Sequence, residues 1–162
     1  MKPNEISLSS QALIDLIQPV LSKGASFRFR VKGFSMTPFI KDNDVVTISA
    51  IYNSCIGFGQ PVAFINPCSG KLVIHRVIGK NSNTYLIKGD RIPKIDGRIP
   101  KENILGVITR IDREGRRIKF GLGPERFIIG LLGRLRLLPF CFSCCALIHN
   151  SFRRFIKCAM GL

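Results

Sequence analysis

Phe27-Arg28-Phe29-Arg30-Val31-Lys32 runs directly into Gly33-Phe34-Ser35-Met36-Thr37-Pro38, and the reading of this stretch decides the fold. In its first half apolar and basic residues alternate at a period of two, the pattern of a strand with one buried and one wet face. In its second half Pro38 fixes its own backbone and biases Thr37 toward extended geometry, while Gly33 permits a close or unusual backbone approach. Ser35 is therefore expected on a tight, rigid turn immediately after a strand. That is a suitable mounting for a nucleophile. A serine in a turn ordinarily bonds only the local backbone, so the catalytic reading needs a base elsewhere in the chain.

Working outward, further runs with strand character follow at residues 45–50, 61–66, 71–79, 84–88 and 104–111, with a shorter, more basic one at 116–120. Gly, Asn, Pro and Asp punctuate them at close intervals, which predicts a compact, mainly β domain built as a coiled antiparallel sheet or small barrel over residues 25–120. Before it, residues 9–22 place Leu13, Leu16, Ile17, Val20 and Leu21 at helical spacing, with Ser9 or Ser10 as N-cap and Gly24 as the stop. Residues 1–24 are thus expected to hold a short amphipathic helix that packs on its own domain.

Composition excludes a disordered chain, because 46% hydrophobic content over 162 residues can build a real core. Lys and Arg outnumber Asp and Glu by 25 to 10, and the resulting formal charge of +15 implies affinity for something anionic, a phospholipid surface or nucleic acid. The N-terminal residues lack the continuous apolar block of a secretory signal, so neither a signal peptide nor an N-terminal anchor is expected. Cys55 and Cys68 are isolated, and Cys141, Cys144, Cys145 and Cys158 crowd the tail, which is not the layout of a disulfide framework. They read as reduced thiols, and no metal or other cofactor is expected.

After residue 120 the composition changes. Gly121-Leu122-Gly123-Pro124 breaks the β pattern, and residues 125–138 space Phe127, Ile128, Leu131, Leu132 and Leu135 as a helical apolar face among Arg126, Arg134 and Arg136. Residues 137–148 are nearly uncharged but fall short of the ~20 needed to cross a bilayer. Residues 121–162 are accordingly expected to form a basic, apolar, helical segment associated with an anionic membrane surface, against the plainer alternative of a helix folded back onto the domain.

The search for a base is short, since only His75 and His149 exist. His75 lies in Leu72-Val73-Ile74-His75-Arg76-Val77-Ile78, where alternation puts it on the face of Val73 and Val77, and a histidine there is costly to bury unless its nitrogens are satisfied. Lys88-Gly89-Asp90-Arg91-Ile92-Pro93-Lys94-Ile95-Asp96-Gly97 is expected to be a turn-rich loop carrying two carboxylates. They are either surface turn residues or acceptors that orient an imidazole. The order Ser, His, Asp and the absence of a Gly-x-Ser-x-Gly elbow argue against the α/β-hydrolase fold.

Ser35-Met36-Thr37-Pro38, Asp44-Val45-Val46, Pro61-Val62-Ala63-Phe64, His75-Arg76-Val77, Lys88-Gly89-Asp90 and Leu105-Gly106-Val107 resemble, in order and spacing, the type I signal peptidase family, of the wider clan that includes the self-cleaving repressors. The match covers residues 27–111. Histidine rather than lysine at position 75 is similar to the endoplasmic-reticulum and archaeal branch. The resemblance implies a coiled antiparallel sheet and a serine endopeptidase that removes a leader or signal segment from a protein substrate. It implies Ser35 as nucleophile with its own backbone N–H in the oxyanion hole, His75 as general base, Asp96 as orienting acid and Asp90 as a supporting one. Two family features are absent. Gly33 stands where relatives often carry a hydroxyl that donates to the oxyanion, and the usual N-terminal anchor has no counterpart, leaving the C-terminal segment to replace it. A catalytically inactive or self-cleaving regulatory module on the same fold is the alternative. Nucleic-acid binding is not favoured, because alternation across two strand faces explains the Phe/Arg pattern of residues 27–32 without base stacking.

Overall fold

The computed structural model of the protein describes residues 9–51 and 56–138. The N-terminal amphipathic pattern is helix α1, Ser10–Ser22, capped by the Ser9 hydroxyl accepting from the Ala12 N–H and ended by Gly24 in the left-handed region. Its buried stripe is Ile14, Ile17 and Leu21. Eight strands follow: β1 Phe27–Arg30, β2 Val45–Ser49, β3 Pro61–Ile65, β4 Leu72–Lys80, β5 Thr84–Lys88, β6 Ile95–Pro100, β7 Ile104–Arg113 and β8 Arg116–Ile118. A second helix, α2, spans Arg126–Arg134.

The strands form one antiparallel sheet in the order β1-β2-β7-β3-β4-β5-β6, with β8 paired to β7. Two long strands are shared between its halves. β7 pairs with β2 through residues 107–112 and with β3 through 104–107, while β4 pairs with β3 through 72–76 and with β5 from Arg76 onward. Each half closes over its own core. One gathers Ile17 and Leu21 of α1 with Val46, Ile48, Ile108 and Ile111; the other gathers Val62, Phe64, Val77, Tyr85, Ile87 and Ile99.

One expectation is corrected here. The stretch that carries Asp96 is not wholly a turn-rich loop: from Ile95 it is strand β6, the last in the sheet order. Pro93, Gly97 and Pro100 mask it in the sequence, and an outer strand tolerates such residues because only one of its sides must supply hydrogen bonds. The C-terminal helix is also shorter than the apolar pattern suggests. It ends in a reversal in which Arg136 takes a positive φ of 59°, while the Leu137 N–H donates to Leu132 O and the Arg136 N–H to Gly133 O.

Helix α2 folds back onto the sheet through small residues and still presents an apolar face outward. Ile129, Gly130 and Gly133 are buried. A Cβ at Gly130 would lie 2.9 Å from Gly59 Cα, and one at Gly133 would touch Ile78. Phe127, Ile128, Leu131 and Leu135 remain exposed. No helix among the described residues is long and apolar enough to cross a membrane. His149 and the cysteines other than Cys68 lie outside the described residues.

Because Gly59 opposes Gly130 with backbone rather than a flexible side chain, Gly130→Ala is expected to destabilise the fold by about 1–3 kcal/mol despite alanine's higher helix propensity. Chemical denaturation of the variant against wild type measures this.

Candidate active site

Ser35 follows β1 as expected, on a turn built by the Thr37 N–H donating to Phe34 O and by the Phe39 and Ile40 N–H groups donating to Met36 O. The loop is pinned at its far end. Asp44, buried, accepts the Lys41 N–H and a bidentate pair from Arg113, which also donates to Phe39 O. Gly33 has a φ of 108°, a conformation that disfavours any side chain, and its N–H donates to Asp42 Oδ1 at 2.8 Å. Position 33 therefore offers neither a hydroxyl nor a free amide. The Ser35 N–H, by contrast, has no protein acceptor among the described residues.

His75 is buried on β4, and Asp96 reaches it from β6: Nδ1 and Oδ2 are 2.6 Å apart. The pairing of β5 with β6 explains how. Lys88 faces Ile95 and Ile87 faces Gly97, so Asp96 is the extra residue of a β-bulge, followed by Gly97 at a φ of 104°. A bulge re-aims one side chain out of the regular alternation, and here it turns a carboxylate onto the imidazole. With Nδ1 donating to Asp96, the neutral ring carries its lone pair on Nε2.

That nitrogen faces the Ser35 turn across Gly89. A Cβ at Gly89 would lie 3.0 Å from His75 Nε2 and 2.9 Å from the Ser35 carbonyl oxygen, and the Arg91 N–H donates to that same carbonyl at 2.8 Å. Gly89 is thus the seam at which the two residues approach, and no other side chain fits there without displacing one of them. The Ser35 hydroxyl itself is not hydrogen-bonded to the ring in this structure. Such contacts commonly tighten only when substrate is bound.

Asp90 is placed differently from Asp96. Both of its oxygens accept from Arg76, Nε to Oδ1 and Nη2 to Oδ2 at 2.8 Å each, and the pair is 0% and 2% exposed. Arg76 Nη1 also donates to Gly59 O and Gly121 O, and the guanidinium lies over the Phe39 ring. Asp90 thus anchors its loop to Arg76, and among the described residues it makes no hydrogen bond to the imidazole.

Lys88 is the residue the sequence reading passes over. Its side chain is buried, and its ammonium donates to Gly89 O at 3.0 Å. Burial holds its pKa below the ordinary 10.5; Asp90 and Asp96 pull it part of the way back, and Arg136 lowers it further. A lysine closing a strand normally reads as a side chain that reaches water, so only the sheet's closure over β5 reveals this one.

Beside Ser35 lies a groove of about 740 Å³, lined by Leu13, Phe27, Phe29, Met36, Leu72 and Ile74, with Arg28, Arg30 and Lys32 among its bordering residues. Two strand margins flank it. β1 ends the sheet order, and among the described residues, positions 72–75 of β4 have no partner on the side where β5 joins only from Arg76 onward.

Comparison of the sequence with protein-family models and with curated proteins gives no match. A functional reading therefore rests on this geometry and on the order of the motifs.

Two outcomes separate the acids. Asp90→Asn leaves the buried Arg76 with backbone carbonyls in place of its carboxylate and is expected to cost about 3–5 kcal/mol of stability, whereas Asp96→Asn is expected to change stability much less, as thermal denaturation will show. The second outcome concerns pH. Between the lowered pKa of Lys88 and 10.5 the unfolded chain binds more protons than the folded one, so stability rises with pH through that window. Lys88→Met is expected to abolish that rise, measured as urea midpoints across the alkaline range.

Proposed function

We propose that the protein is a serine endopeptidase of the type I signal peptidase kind, with Ser35 as nucleophile, His75 as general base and Asp96 as the acid that orients it. The observation that carries the reading is the hydrogen bond from His75 Nδ1 to Asp96, which directs Nε2 at the Ser35 turn. His75 Nε2 takes the Ser35 hydroxyl proton as Oγ attacks the scissile carbonyl carbon. Asp96 stabilises the imidazolium so formed, which then protonates the leaving amine; water enters by the same route in reverse and releases the acyl group from Ser35. The Ser35 N–H is the donor available to the oxyanion.

The groove supports a peptide substrate. An extended segment laid between β1 and the first half of β4 finds backbone donors and acceptors on both sides and apolar side chains beneath, which is recognition by strand addition. The apolar lining suits a hydrophobic leader or signal segment. The exposed row Phe127, Ile128, Leu131 and Leu135 on α2, together with the net charge of +15, supports working at an anionic membrane surface, where such segments reside.

One observation favours a second reading, a binding or regulatory module on the same scaffold. Gly33 supplies no hydroxyl and its amide is taken by Asp42, so the oxyanion hole is short of a donor that is worth ~10²–10³ in rate in a serine protease.

Incubation of a leader-bearing precursor, with products read by mass spectrometry, decides between them. Wild type is expected to release a defined fragment, Ser35→Ala and His75→Ala none, and Asp96→Asn on the order of 10⁴ more slowly. Equal cleavage by all of these excludes the peptidase; tight binding without cleavage by wild type and Ser35→Ala alike establishes the module.

A further inference from the structure

A small pocket of about 170 Å³ opens where the end of β4 meets β6 and α2, lined by Gly79, Lys80, Asn81, Thr84, Leu86, Arg98 and Arg134. Three cations from three separate elements converge on it, and none of its lining residues is acidic. Lys80, Arg98 and Arg134 form no ion pair among the described residues, although elsewhere in the protein Asp44, Asp90 and Asp112 are each matched to arginine. Their repulsion is screened by water and is offset by neutral partners rather than by an anion, the Tyr85 ring beneath Lys80 and Ile78 O at Arg134.

The position of Arg134 is built. Its Nη1 donates to Ile78 O at 3.1 Å and lies 2.9 Å from where a Cβ on Gly79 would stand, so the absence of a side chain at Gly79 lets the guanidinium lie on the strand. Asn81 and Thr84 add neutral donors at the rim. Cationic forks with neutral hydrogen-bonding partners are the chemistry that holds a phosphate.

What surrounds the pocket narrows the source of that phosphate. Arg134 follows Phe127 and Leu131 at helical spacing, and Leu135 follows Ile128 and Leu131 in the same way, so the exposed apolar ridge of α2 ends at the pocket. A nucleic acid bound there would leave these side chains in water, whereas a bilayer takes the ridge into its acyl boundary and sets its head groups at the level of the cations.

We propose that Lys80, Arg98 and Arg134 form a binding site for the phosphate of an anionic phospholipid, seating α2 on the membrane with its apolar ridge inserted. The site deepens the membrane-association reading above and rests on it, but it does not depend on Ser35 chemistry. The site also fixes which side of the molecule meets the bilayer.

The test is co-sedimentation of the full chain with vesicles of phosphatidylcholine alone and of phosphatidylcholine and phosphatidylglycerol in about equal parts. Wild type is expected to bind the anionic vesicles. Arg98→Glu and the milder Lys80→Gln both alter exposed side chains; Arg98→Glu is expected to weaken binding about tenfold or more, and Lys80→Gln severalfold. Lys23→Glu, the same charge change at the end of α1, is expected to weaken it about twofold at most. Leu131→Ser is expected to weaken it with no change in charge. Equal losses in Arg98→Glu and Lys23→Glu overturn the pocket while leaving membrane association intact. Failure of wild type to bind either vesicle overturns membrane association and the pocket together. Parallel titrations with inorganic phosphate and with a single-stranded oligonucleotide complete the test: binding of either that Arg98→Glu abolishes, with vesicle binding unchanged, overturns the lipid assignment.

Discussion

Arg76 is the group on which the structure depends. A guanidinium cannot shed its proton, so burying one at 0% exposure is tolerable only when its donors are met, and here a carboxylate and two backbone carbonyls meet them with an aromatic ring stacked above. Those partners come from the Gly59 turn, the Asp90 loop and the Gly121 turn. His75 is its immediate neighbour on β4. Successive strand residues point to opposite faces, so the strand offers one side a charged clamp and the other an imidazole in one step, the imidazole lying against Asp96 and Phe64. The position of the imidazole is inherited from the clamp.

Two departures from regular β structure complete the site. At Asp96 an inserted residue breaks the register of β5 with β6 and turns a carboxylate inward; at Gly89 the lack of a side chain lets the Ser35 turn and the imidazole share one space. Either position in ordinary form, an in-register strand or a residue with a Cβ, would hold the three groups apart. Local regularity is given up where the groups must meet.

This distribution explains what could be read in the sequence. The α1 helix, the alternating β1 and the Ser35 turn are local, governed by caps, period and proline, and they are plain in residues 9–38. His75 and Asp96 could be named because histidines are scarce and the motifs fall in a familiar order. Their joining is implied only by the resemblance; the bulge that achieves it, set by the pairing of two strands, leaves no local mark in the sequence. β6 was hidden by its own Pro and Gly residues. Arg76 and Lys88 look like solvent-facing cations in any one-dimensional reading, and only closure of the sheet reveals that both are inside. The separate job of Asp90 follows from Arg76 and was equally out of reach.

The strand margins beside the groove have a consequence for the protein's own company. Among the described residues the outer edge of β1, with its alternating Phe27 and Phe29, pairs with no strand, and it is as inviting to a second copy of the chain as to any extended peptide, because backbone recognition does not ask which molecule supplies the added strand. Arg28 and Arg30 on its exposed face, with Lys32 just beyond, set like charges against each other when two copies approach edge to edge. The segment that would receive an added strand thus also carries the cations that an approaching copy would meet first.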